Sequence, residues 1–251
     1  MALGKLINAA LSSATGYRLA KANSSVGSFS GWEYLRHNAR RLEHLASLGL
    51  PLHGKKVLEV GAGIGDHSSF YLDRGCEMLI TEARPDNLEV LHRRYPGVDV
   101  RQLDLETPDE TLAEQFDVIH CYGVLYHLKN PDQAIAFLAK RCRVFLLLET
   151  CVSYGSELAV NLCPEIHEDP TQAVSGQGCR PTRPWVFNEL EKHFPFVYFP
   201  ETQPNHPEFP TDWTKPPVPM PPFTRAVFVA SRMAIANPLL KSELLKQQRP
   251  Q

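Results

Sequence analysis

No apolar run in the sequence approaches the ~20 residues that a helix needs to cross a bilayer, which excludes a membrane-spanning helix. None of its six cysteines (76, 121, 142, 151, 163 and 179) is paired at Cys-x-x-Cys spacing, so neither a zinc knuckle nor a thioredoxin-type motif has support. Neither sign of charge dominates: 26 Lys+Arg face 28 Asp+Glu, for a formal net charge of −2. No internal repeat is visible. Proline is scarce at first, with five among residues 1–150, and then dense, with ten between Pro195 and Pro222. Each proline removes a backbone donor and fixes φ, so the early part can be regular secondary structure and the later stretch mostly cannot.

What is present is ordinary for a globular chain. Charged residues at 22% and aromatics at 9% exclude wholesale disorder and a fibrous fold. At 251 residues and 43% hydrophobic, the chain can build one large α/β domain or two small ones. Cys76 and Cys121 sit in apolar, strand-like surroundings, where a reduced cysteine behaves as a small hydrophobe, and we read a reducing, cytoplasmic setting. The first residues, MALGKLINAALSSATG, read as an N-terminal helix rather than a signal peptide, because only Lys5 precedes a weak run interrupted by Asn8. Residues 1–56 carry net +6 against −2 for the whole chain, leaving −8 for the remainder. Such a segment can attract an anionic partner. Without aromatic–basic interleaving it reads rather as a solvated helix face, and nucleic acid is disfavoured.

Residues 32–48 place Leu35, Ala39, Leu42, Leu45 and Leu48 at helical spacing, with Gly49 as a stop. Short β-like runs follow at 55–60, 77–81, 98–103, 116–122 and 144–149. Several are nearly all apolar, as parallel strands buried on both faces should be. Between them the pattern predicts helices over Asp66–Arg74, Asp86–Tyr95, Asp109–Glu114 and Asp132–Arg141. That alternation predicts a parallel sheet with helices on both faces. After Thr150 periodicity fades; 184–194 reads as a helix, 196–199 and 224–231 as closing strands. We therefore expect an N-terminal helical cap over 1–50 and one domain over 51–251, with substrate loops and a proline-rich insertion over 151–222.

The first strand ends in Glu59-Val60-Gly61-Ala62-Gly63-Ile64-Gly65. Glycines there let the backbone turn sharply and approach a ligand closely. The dinucleotide fingerprint would need glycine at 66, where Asp66 stands. Glu82 ends the second strand, where a carboxylate can accept ribose hydroxyls, and Asp104-Leu105 follows the third. The fourth strand and its exit run Phe116-Asp117 through Leu125-Tyr126-His127-Leu128 to Asn130-Pro131. Together these segments, over about residues 55–150, resemble class I S-adenosylmethionine (SAM) methyltransferases. The resemblance implies a seven-stranded, mostly parallel Rossmann-like sheet closed by an antiparallel last strand. It implies SAM as cofactor, S-adenosylhomocysteine as product, and contacts from Glu59, Gly61, Ala62, Gly63, Glu82, Ala83, Asp104, Leu105 and Tyr122.

In open α/β sheets ligands sit beyond the carboxyl ends of the strands. Methyl transfer to a hydroxyl needs a positioned nucleophile and a proton acceptor. His127 is the first candidate for that base, with Glu149 as alternative and Tyr126 beside the transfer path; each could instead pack or cap. Residues 171–185 bring Arg180, Thr182, Arg183 and Trp185 together with Gln172 and two glycines, as a lid over a polar acceptor or a plain surface loop. Glu165-Ile166-His167-Glu168-Asp169 is rich in ligand atoms but matches no ligand-spacing template, so no metal site is assigned, and a divalent ion is left open but unsupported. The expectation is a methyltransferase acting on a hydroxyl of a small molecule or saccharide. A tRNA or other nucleic-acid methyltransferase and a catalytically silent scaffold subunit are the alternatives; the retained cofactor acids argue against the second. No Asn/Asp-Pro-Pro-Tyr follows the fourth strand, which favours oxygen over nitrogen. The ten prolines are expected to wrap the domain near the acceptor or at a homodimer contact.

Overall fold

A computed structural model of the chain describes residues 24–251. The N-terminal helix expected in residues 1–16 lies outside the described residues. The elements run α1 (Ser25–Phe29), α2 (Trp32–Ser47), β1 (Lys56–Glu59), α3 (Ser68–Leu72), β2 (Glu77–Glu82), α4 (Pro85–Arg94), β3 (Asp99–Gln102) and β4 (Phe116–Tyr122). A single 3₁₀ turn at Leu125–His127 leads to α5 (Pro131–Arg141) and β5 (Cys142–Cys151). Then come β6 (Leu162–Pro164), β7 (Gln177–Cys179), α6 (Arg183–Glu191), β8 (Phe196–Pro200), β9 (Thr202–Gln203), β10 (Arg225–Ser231), β11 (Leu240–Lys241) and β12 (Arg249–Pro250).

The main sheet has the order β11-β8-β10-β5-β4-β1-β2-β3. Strands β1 to β5 are mutually parallel, and β10 is antiparallel to both β5 and β8. The seven expected strands are all there; the two-residue β11 adds an eighth at the edge. The chain reverses direction of growth between β1 and β4, and a crevice opens at that switch point. Leu58, Ile119, Leu146 and Leu148 are fully buried on one side, and Val57, Val118, Leu147 and Val227 on the other, which is why these strands read as apolar runs.

Proline and charge set the helix starts. Pro85 and Pro131 occupy first turns beside Asp86 and Asp132, and Arg93, Arg94, Lys140 and Arg141 fill last turns, opposing the helix dipole. The helix expected over Asp109–Glu114 does not form. Asp109 uses its carboxylate to accept the Thr111 N–H (2.8 Å), closing a turn, and Arg141 donates to the Leu112 carbonyl (2.6 Å). The aspartate's local hydrogen bond competed with the helix and won.

Helix α2 forms where expected but faces differently. Its buried residues are His37, Asn38, Arg41, His44 and Leu45, while Leu35 is exposed. His37, Asn38 and Arg41 face inward because the first turns overlie the crevice, while Leu45 and the following Leu48 are buried in the apolar core. Its end is fixed by His44 Nε2 against Thr202 (2.9 Å to the carbonyl) and by Asn237 Nδ2, which donates to the Leu48 carbonyl (2.7 Å). The proline-rich stretch anchors Phe209 and Trp213 in the interior, with Trp213 Nε1 donating to Gln248 (2.7 Å). All six cysteines are unpaired. No helix among the described residues is long and apolar enough to cross a membrane.

Candidate functional site

Beyond the carboxyl ends of β1, β2 and β4 lies a cavity of about 580 Å³. Its inner wall is the glycine loop after β1. Gly61 and Gly63 adopt φ of 60° and 58°, a region that favours glycine. A Cβ on Gly61 would run into the Val124 side chain, and one on Gly63 would sit 2.8 Å from Phe29. The loop is tied to the next strand by Glu82, whose carboxylate accepts the Gly63 N–H (2.8 Å) and the Arg84 N–H (2.9 Å). Burial raises the Glu82 carboxyl, and those backbone donors oppose the rise.

Glu59 ends β1 almost fully buried, accepting from the Ser68 hydroxyl (2.6 Å). Burial pushes its carboxyl up to about 7, against the Ser68 hydrogen bond. Asp104 lines the cavity and accepts the Glu106 N–H (2.9 Å), with Leu103 and Leu105 as apolar shelves beside it. Ala62, Ala83 and Tyr122 complete this half, and the Tyr122 hydroxyl is buried without a hydrogen-bond partner among the described residues. Every cofactor residue expected from sequence thus borders one cavity. The donor set suits the cofactor implied by the resemblance. Carboxylates line the wall where ribose hydroxyls and a cationic group would rest, apolar shelves flank a planar ring, and the glycines leave room where a Cβ would clash.

His127 also lines the cavity, on the turn after β4. Its Nδ1 lies 2.5 Å from Glu165 Oε2, and its ring packs 3.9 Å from Tyr126. Glu165 is itself held by the Ala173 N–H (2.8 Å) and by Arg180 (3.4 Å). Burial lowers the His127 pKa, with the Glu165 carboxylate pulling the other way. Burial would raise Glu165, but the combined pull of His127, the Ala173 N–H and Arg180 leaves it lowered. The carboxylate engages Nδ1, so Nε2 is the nitrogen able to take a proton. The five-residue segment considered for metal binding therefore supplies an orienting carboxylate instead. Sequence spacing could not show this pairing across 38 residues.

Glu149 is placed elsewhere. It lies outside the cavity wall and fully buried, with Oε2 2.5 Å from Arg41 and Oε1 3.2 Å from Arg225. Arg225 also donates to Glu208 (2.7 Å) and to the Tyr126 hydroxyl (3.3 Å). A carboxylate clamped by two guanidiniums is not offered to a substrate, which corrects the expectation of a base there. The Tyr126 hydroxyl is engaged from below by Arg225, while its ring borders the cavity.

The expected acceptor residues Arg180, Thr182, Arg183 and Trp185 do not line the cavity. Arg180 supports Glu165 from behind. Thr182 caps α6, accepting the Trp185 N–H (3.4 Å), and Trp185 packs against the core. Arg183 stacks over Trp213 at 3.9 Å and donates to the Leu245 carbonyl. Guanidiniums stack and cap inside proteins as readily as they bind ligands, and α6 turned these inward. The rest of the cavity wall comes instead from α2 (Tyr34, His37), from residues 170–174, and from His206, Glu208 and Phe223 in and beside the proline-rich stretch, which straps across the domain. The basic N-terminal segment is largely neutralised where described: Arg36 and Arg40 meet Glu33 and Glu43, Arg41 meets Glu149, and Lys56 meets Glu77 and Glu114.

Residues 58–144 match the family described as "Methyltransferase domain". Over 88 residues the chain is 40% identical to the ubiquinone biosynthesis O-methyltransferase of Pseudomonas entomophila, covering 34% of this chain and 38% of that protein. Over 129 residues it is 36% identical to the tRNA U34 carboxymethyltransferase of Photobacterium profundum, covering 48% of this chain and 38% of that protein. The chain thus spans 38% of the length of these curated relatives. Among solved structures, the N-terminal domain of EvdMO1 with SAH bound superposes at TM-score 0.59 and 21% identity, covering 86% of this chain and 88% of that one. The fold is that of Rossmann-like methyltransferases, and the chain resembles the class I SAM-dependent group.

Proposed function

We propose that this chain is a SAM-dependent methyltransferase that methylates a hydroxyl of a small molecule or saccharide, with His127 as general base. The observation that carries the reading is the His127–Glu165 pair, whose histidine lines the same cavity as the glycine loop, Glu59, Glu82 and Asp104. When bound, SAM supplies an electrophilic methyl on its sulfonium. Glu82 and Asp104 would hold its ribose and adenine, and Glu59 and the glycine loop its amino-acid end. His127 accepts the acceptor's proton at Nε2 while Glu165, hydrogen-bonded to Nδ1–H, fixes the tautomer and stabilises the imidazolium. Tyr126 forms the floor beside the reacting oxygen, held by Arg225. Residues 170–174 and the strap line the same cavity and would exclude water from the transfer.

Calorimetric titration with SAM tests the cofactor assignment, and a hydroxyl-acceptor panel read by SAH formation tests the transfer. No heat of binding at millimolar SAM would overturn the first. Full turnover by His127→Ala on an accepted substrate would overturn the base.

A further inference from the structure

A second group of residues converges beneath the glycine loop and shares Glu59 with the proposed cofactor site. Glu59 at the end of β1, His67 just before α3 and His120 in β4 each present one donor atom within 4.8 Å of the other two. All three are buried and border the cavity. His67 Nδ1 and His120 Nε2 face each other at 3.0 Å.

The outer nitrogens decide what this group is built for. His67 Nε2 lies 3.2 Å from Asn38 Oδ1, and that atom is fixed as oxygen because Arg41 donates to it as well (3.1 Å). His67 therefore carries its proton on Nε2, and its Nδ1 lone pair points inward. His120 Nδ1 lies 2.9 Å from the Tyr71 hydroxyl, which can accept from Nδ1–H and leave the Nε2 lone pair inward too. Histidine ligands are commonly oriented in this way, the ring nitrogen away from the metal donating to a fixed oxygen. Glu59 adds a carboxylate that forms no ion pair among the described residues; it accepts from the neutral Ser68 hydroxyl. The guanidinium that acts on Glu59, Arg94, is already paired with Asp66 (2.5 Å), and Arg41, which acts on the two histidines, is paired with Glu149.

We propose that Glu59, His67 and His120 form a binding site for a divalent transition-metal cation of the zinc class, with three protein ligands and an open position toward the cavity. Two imidazoles and one carboxylate are the donor set such ions favour, and three ligands plus an open position is the zinc arrangement that admits a small ligand. The cation would join the ends of β1 and β4 to the start of α3, the three pieces that frame the glycine loop. The site was invisible to ligand spacing because its residues come from three separate elements.

The test uses the chain freed of metal by chelator, without SAM. Titration with Zn²⁺ should give one equivalent per chain, and Co²⁺ should give visible d–d absorption without a thiolate charge-transfer band. His67→Asn with His120→Asn should abolish the stoichiometric site, and Asn38→Ala should weaken it about 10–100-fold. His53→Ala, at an exposed position, should bind as the parent does. Because the cobalt spectrum is read on the unaltered chain, it decides the matter even if the double variant does not fold. Absence of a stoichiometric site in the parent, a thiolate band, or undiminished affinity in a folded double variant would overturn the proposal.

Discussion

Replacing Glu149 by glutamine should cost a large share of the margin by which this chain stays folded. Glu149 is 0% exposed, and its two oxygens are the anionic partners of Arg41 (2.5 Å) and Arg225 (3.2 Å). Arg225 would keep Glu208, but Arg41 has no other acid among the described residues and would be left as a buried, uncompensated charge. Removing one partner of a buried pair costs about 3–5 kcal/mol, and Arg41 sets the cost here. Domains are commonly stable by about 5–15 kcal/mol, so the loss is large, and for a chain of this size it lowers Tm by roughly 10 °C. Urea unfolding should show a lower midpoint with an unchanged slope. The double variant Arg41→Met/Glu149→Leu should recover much of the loss, because it removes both charges together. A folded E149Q that loses under about 1 kcal/mol would refute the reasoning. A stable E149Q that has lost turnover would restore Glu149 to the chemistry.

His127→Ala should lower kcat by about 10²–10⁴-fold, read as SAH formed on an accepted substrate. The base works when neutral, so activity falls as pH drops through its pKa; burial lowers that pKa below 6.5, so the acid limb of kcat/KM should lie below pH 6.5. Glu165→Gln removes the carboxylate that opposes this lowering and should move the limb to still lower pH while reducing kcat; an unmoved limb would sink the pairing. Gly61→Ala forces a side chain into φ of 60° and toward Val124, costing about 1–2 kcal/mol for the backbone alone and weakening SAM binding in calorimetry. Burial lowers His44 from 6.5 to about 4 against its Thr202 hydrogen bond. The folded pKa is the lower one, so His44 contributes stability that is present above 6.5 and lost as pH falls toward 4. Between pH 6.5 and 5 that loss is about 2 kcal/mol, and His44→Asn should flatten that part of the stability profile in urea titrations.

The parts of this molecule that were legible in the sequence are those where local pattern and tertiary demand agree. Leu58, Val118, Ile119 and Leu147 are apolar because their strands are buried on both faces, and the alternation with proline-started helices named the layers. Glu59, Gly61, Gly63, Glu82 and Asp104 could be read because the sharp turn and the strand ends fix them within a few residues of recognisable elements. Elsewhere the residue type was read correctly and its destination was not. Arg183 and Trp185 looked like a recognition pair, but α6 faces the core and turns both toward Trp213 and the sheet. Glu149 stood at the end of a strand, as a base would, yet its environment is set by Arg41 and Arg225, at separations of 108 and 76 residues. Asp109 shows the local version of the same ambiguity, since a good helix-capping residue is equally good at closing a turn.

Helix α2 shows why the acceptor half of the cavity had to be the least legible part. Its leucines at positions 35, 42, 45 and 48 describe an apolar stripe; Leu45 and Leu48 are buried as that stripe implies, Leu35 is exposed, and the buried face also takes in His37, Asn38, Arg41 and His44. The helix rests Leu45 and Leu48 on the core while its earlier turns roof a polar crevice, where its charges need partners. Those partners are far away in sequence: Glu149 for Arg41, Thr202 for His44, His67 for Asn38. The strap is fastened to the same network, since Glu208 binds Arg225 and Arg225 binds both Glu149 and the Tyr126 hydroxyl. One set of buried charges therefore holds the roof, the strap and the ring beside His127 in fixed relation. Proximity among such groups is what raises the rate of a bimolecular transfer, and here it is set by ion pairs in which Arg41, Arg225 and Glu208 border the cavity and Glu149 lies behind it. Substitutions in that network should accordingly lower stability and turnover together, whereas changes at His127 should lower turnover alone.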